Sequence, residues 1–161
     1  MSEVVFPRSC VSNILTYLNT HIQYTKKSKL WMEEIQGIEK RKITSQALVD
    51  ELLKIHEELK LAMKVSYEDV SAEAKSLLNV LQRAPGGDAP DSREEKAKSR
   101  LSDYTEAASH VMDMIVELYE QNKQLQIVWE KQKTKISQKY KLYVFETECA
   151  KVSFPFLNNQ F

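Results

Sequence analysis

His56-Glu57-Glu58 is the segment whose residue types come nearest to catalysis. A zinc-peptidase helix carries His-Glu-x-x-His: two imidazoles one turn apart hold the metal, and the glutamate serves as general base. The second imidazole would stand at position 60, where the chain has Lys60. His21 and His110 show no acidic or thiol neighbour at ligand spacing. Cys10 and Cys149 stand near opposite ends of the chain, which gives neither a disulfide framework nor a metal spacing. The same separation removes both thiols from the histidines that could activate them. Gly86-Gly87 lacks the Lys-Ser/Thr of a phosphate-binding loop and follows no strand. No preorganised polar pocket is legible, so the expectation is a protein without catalytic residues, metal, cofactor or small-molecule substrate.

Two other groupings are better suited to binding. Lys131, Lys135 and Lys139 repeat every four residues, with Lys133 and Lys141 beside them, five positives in eleven residues. Such a strip either meets acidic lipid headgroups or an acidic partner, or is a solvated face matched by acids. Asp50, Glu51, Glu57 and Glu58 are the expected acids. The second grouping is aromatic: Tyr140, Tyr143, Phe145, Phe154, Phe156 and Phe161 crowd the C-terminal third and form a candidate partner-binding patch.

The element that must position both is a helix across Leu101–Val152, a stretch without Pro or Gly. Leu101, Ala108, Ile115, Trp129, Ile136 and Tyr143 share one seven-residue register, and Tyr104, Val111, Leu118 and Leu125 fall three residues later. That is the a/d seam of a helix packed on other helices. At about 1.5 Å per residue it would run about 75 Å, which implies an elongated bundle. Asn122 takes an a position, where it is either a tolerated loss of stability or a lock on register. Tyr119 and Trp129 are expected in the core.

A first helix is expected from Cys10 to about Arg41, capped by Ser9. Its apolar positions are Val11, Leu15, Leu18, Ile22 and Thr25, with a slip of phase before Trp31, Ile35 and Ile38. A second helix, capped by Thr44 or Ser45, runs to about Arg83 through Leu48, Leu52, Ile55, Leu59, Ala62, Val70, Ala74, Leu77 and Leu81, with a register shift near Ser66-Tyr67. Pro85–Pro90 is the strong loop signal, and Ser92-Arg93-Glu94-Glu95 is a capping box that starts the third helix. Phe154-Pro155-Phe156 is expected to stop it. The order is up, down, up: an all-α antiparallel three-helix bundle with an extended third helix. With 161 residues, 29% charged, 42% hydrophobic and net charge zero, the chain has one domain's worth of core and no global bias toward nucleic acid or anionic membrane. It lacks a signal-peptide pattern and a membrane span, so a cytoplasmic location is expected.

Leu118–Val152 resembles the third helix of a spectrin repeat running into its linker. The features are Trp129, the Lys131/Lys133/Lys135 turn with Ile136, and Leu142-Tyr143-Val144-Phe145-Glu146. Trp31 stands where that family has its first-helix tryptophan, and Ile55-His56-Glu57-Glu58-Leu59 is similar to its second-helix pattern. The linker Arg common in the family is Lys here. The resemblance covers about residues 10–150 and is nearest to repeats of the Trio, kalirin and Dbl-type Rho guanine-nucleotide exchange factors and Sec14–spectrin proteins. It implies a spectrin-like repeat over 8–136, a third-helix extension resembling an inter-repeat linker over 137–152, and an irregular aromatic tail over 153–161. Trp31 and Trp129 would be structural core. The implied function is a non-catalytic interaction or spacer module of a cytoskeletal scaffold or Rho-exchange-factor-like signalling protein, binding protein partners or itself, cytoskeleton-associated or not. The alternative is a membrane-surface helical module binding anionic lipid through Lys131–Lys141.

Overall fold

Seven-residue spacing sets the inner face of every helix. The computed structural model describes residues 8–83 and 94–158, and the side chains of residues 10–83 and 103–152. Among them the chain forms α1 (Arg8–Ile38), α2 (Gln46–Gln82) and α3 (Glu94–Asn158), with no strand. This is an all-α three-helix bundle.

The helix ends follow local chemistry. α1 begins at Arg8, so Ser9 lies inside it rather than capping it. Its end carries Gly37, and the chain tightens there through Lys40 N–H to Gly37 O and Arg41 N–H to Ile38 O, both 3.2 Å. Ser45 caps α2: its Oγ accepts from the Leu48 N–H at 3.2 Å, three residues on. Pro85–Pro90 and Ser92 lie outside the described residues, as does the side chain of Glu95. α3 does not stop at Pro155 but runs to Asn158. A proline removes one helical N–H and crowds one carbonyl, which penalises a helix without forbidding it. The irregular tail expected over 153–161 is therefore helical as far as residue 158.

The inner face of α1 differs from the aliphatic reading. Cys10, Tyr17, Tyr24 and Ile38 are buried at seven-residue spacing with half-buried Trp31 between them, and His21, Ser28 and Ile35 repeat likewise. The register is unbroken, without the expected slip. Val11, Leu15, Leu18 and Ile22, expected inside, are exposed, Leu15 by 62%. Tyrosine explains the choice: it buries a large apolar ring while its hydroxyl finds a polar neighbour. α2 likewise keeps Val49, His56, Met63, Val70 and Leu77 buried in one heptad phase straight through Ser66-Tyr67, so the shift expected there is absent. α3 follows the expected seam: Tyr104, Val111, Leu118, Asn122, Leu125, Trp129, Gln132 and Ile136 are buried. Tyr119, expected in the core, is 53% exposed, because it stands one position beyond the Leu118 phase.

The chain divides into two compact units, and each helix contributes to both: Met1–Ser28 with Lys64–Lys123, and Lys29–Met63 with Gln124–Phe161. In the first, α1 and α3 run side by side in the same direction, His21 against Glu117 and Thr25 against Gln121. Thr20 of α1 donates to Glu73 of α2 at 3.3 Å. In the second, Ile35, Met63, Leu125 and Trp129 form one cluster, with Trp31 and Met32 packed on it, and Ile38, Leu52 and Ile136 form another. These pairings make α2 antiparallel to its two neighbours there.

Candidate functional site

His56 and Trp129 hold α2 and α3 together in the second unit. Their rings stack at 4.3 Å between centroids and 6° between planes. Trp129 Nε1–H donates to the His56 carbonyl at 2.7 Å, and His56 Nε2 lies 2.9 Å from the Trp129 carbonyl. A carbonyl only accepts, so Nε2 carries the proton and Nδ1 is bare in the neutral ring. That Nδ1 is buried without a hydrogen-bonding partner among the described residues. Burial pushes the His56 pKa down; the hydrogen bond to Trp129 and the charge of Glu57 pull it partway back. Around the stack, Lys133 pairs with Glu57 at 3.3 Å and Lys60 with Glu130 at 3.9 Å. The Lys60 and Lys133 ammonium groups lie 4.3 and 5.1 Å from the Trp129 ring centre, within cation–π range. His56 is thus a packing and hydrogen-bonding residue. The sequence signal for it was its place in the α2 heptad, which a search for metal ligands passes over.

Two of the strip's five lysines, Lys133 and Lys135, pair with acids. Lys135 Nζ donates to Glu39 Oε1 at 2.7 Å, and Gln132 Nε2 donates to Glu39 Oε2 at 3.1 Å. Those two bonds hold the Glu39 pKa below its ordinary value. Lys139 donates to the Glu39 carbonyl, just beyond the end of α1, where the helix dipole favours a cation. The matched-face expectation was correct for Glu57, one of the four acids it named, and missed Glu39. Glu57 and Glu39 pair with the strip, whereas no ion pair from Asp50, Glu51 or Glu58 to the strip occurs among the described residues. Glu39 was missed because it lies at the α1 end, where parallel packing brings it level with Lys135.

Among the described side chains Ile136 is the last buried one on α3, and the helix runs on for 22 residues beyond it. Tyr140 and Tyr143, expected in a partner-binding patch, continue the Ile136 phase and are half-buried. Phe145 is 66% exposed, with Leu142, Val144 and Val152 exposed beside it. Phe154 and Phe156 stand on the helix with side chains outside the described set, and Phe161 lies outside the described residues. Trp31 and Trp129 share one cluster, consistent with structural roles.

In the first unit, the Tyr17 hydroxyl lies 3.4 Å from His21 Nδ1, and His21 Nε2 lies 3.7 Å from Glu117. Burial raises the Tyr17 pKa to about 12, with the Glu117 and Glu73 charges adding to it. His110 sits 3.9 Å from Glu106, both exposed. The acidic neighbours of His21 and His110 arise from helix packing and from i,i+4 spacing, and neither makes a ligand set. Among the described residues no group of His, Cys, Asp and Glu could hold a metal ion, and no helix is long and apolar enough to cross a membrane. No protein-family model and no solved structure matches this chain.

Proposed function

We propose that the chain is a non-catalytic interaction module of spectrin-repeat type, part of a cytoskeletal scaffold or a Rho-exchange-factor-like signalling protein. It binds protein partners, or further copies of itself, through the segment of α3 beyond Ile136. One observation carries this reading: Leu142, Phe145 and Val152 are each more than half exposed on a helix that continues past Ile136, the last buried residue among its described side chains. Clustered aromatic and aliphatic side chains on one helical face exceed the scattered surface apolars that need no partner. The three-helix order and the clustered Trp31 and Trp129 support the spectrin-type assignment. Anionic lipid is the weaker alternative, because Lys133, Lys135 and Lys139 already have acidic or carbonyl partners. Deleting residues 146–161 tests the reading. The melting temperature should stay within about 2 °C of the parent, a shift no larger than that of about 1 kcal/mol in a domain this size, while association is reduced. A truncated chain that unfolds much more easily would show that the segment serves stability instead.

A further inference from the structure

The exposed side chains beyond Ile136 have an order of their own. Leu142, Phe145, Cys149 and Val152 are spaced three, four and three apart, all exposed. At 100° per residue they fall on the side of α3 opposite Ile136, Tyr140 and Tyr143, the side that meets the bundle. The helix therefore carries two seams, one covered by its own chain and one uncovered. Leu142 and Cys149 take a positions of the second seam, and Phe145 and Val152 take d positions.

We propose that this seam pairs with the same seam of a second copy, in parallel and in register, as a short two-stranded coiled coil. The proposal rests on the reading of this segment as an interaction surface and specifies its occupant. The charges select the arrangement. With Leu142 at a, Lys141 takes g and Glu146 the following e, and parallel coiled coils set each g residue beside the next e residue of the partner. A twofold pair thus makes two Lys141–Glu146 contacts between the copies. Neither residue has an ion-pair partner among the described residues. An antiparallel pair that keeps the four seam residues together sets Glu146 against Glu146 and Glu148 against Glu148. Sliding that pair by one heptad removes the repulsion but places Cys149 opposite Gln138 and Val152 opposite Lys135, which already serves Glu39. The bundle lies on the far side of each helix in this segment, so the two seams can meet.

In the parallel register each a residue faces its own copy, and the two Cys149 thiols come within disulfide reach, with Cα atoms under about 7 Å apart. Cys149 is exposed and outside any disulfide, whereas Cys10 is buried. The test uses the full chain at low salt, with the dimer dissociation constant measured by sedimentation equilibrium. Mild oxidation with diamide, which takes up the two hydrogens as the bond closes, should link two chains in the parent but not in Cys149→Ser. Lys141→Glu and Glu146→Lys should each weaken the dimer about tenfold, since each replaces two attractions with two repulsions. The double variant should return to within about threefold of the parent. A chain that remains monomeric at every concentration overturns the proposal. A dimer indifferent to both reversals, and not linked through Cys149, overturns the register but leaves the segment standing as an interaction surface.

Discussion

At the scale of single residues, the His56–Trp129 contact has the clearest energetic signature. Each ring nitrogen that carries a proton donates to the other residue's backbone carbonyl, so the two helices are joined at a fixed height as well as by apolar contact. Trp129→Ala removes the ring, its hydrogen bond and the stack, and should cost about 3–5 kcal/mol. The imidazole adds a pH dependence. Its folded pKa lies below the unfolded value of about 6.5, so between the two the unfolded chain binds the extra proton. Its contribution is complete above about pH 6.5 and is lost as the pH falls through the folded pKa. His56→Gln keeps a donor for the Trp129 carbonyl but does not titrate. Chemical denaturation across this range should show the parent losing stability faster than the variant as acid is added, and parallel curves would refute the role.

At the scale of elements, α1 teaches how far periodicity reaches. Its aliphatic positions Val11, Leu15, Leu18 and Ile22 form a tidy stripe, yet that stripe faces outward. The inner face is Cys10, Tyr17, His21, Tyr24 and Ser28, residues that a hydropathy reading ranks below leucine. Leu15→Lys should therefore change stability by no more than about 0.5 kcal/mol, as at other surface sites. Tyr17→Ala, emptying a fully buried aromatic position, should cost about 3 kcal/mol. Urea unfolding of the two variants separates the phases, and the reverse order of costs would restore the aliphatic reading. α3 was legible because Leu118, Leu125, Trp129 and Ile136 make its pattern unambiguous. The pairing of Glu39 with Lys135 was not legible, since it depends on how α1 and α3 align, which no local pattern encodes. The second seam of α3 is written plainly in its spacing. A reading that follows Tyr140 and Tyr143 passes over it, because they set a competing phase over the same residues.

At the scale of the whole molecule, the three helices share out two kinds of surface. Each unit closes on its own core, with polar layers at His21 and Asn122 in the first and at His56 and Gln132 in the second. The segment of α3 past Ile136 adds no fully buried side chain to the second core among the described residues. Its charges are compatible with a partner helix of identical sequence, and its apolar residues are arranged at the spacing such a helix requires. The most direct measurement of this account is the molar mass of the full chain in solution, read by light scattering over a wide range of concentration. The account predicts a mass that climbs from the single-chain value of 18.7 kDa toward twice that value as concentration rises. A mass that stays at one chain throughout would contradict it.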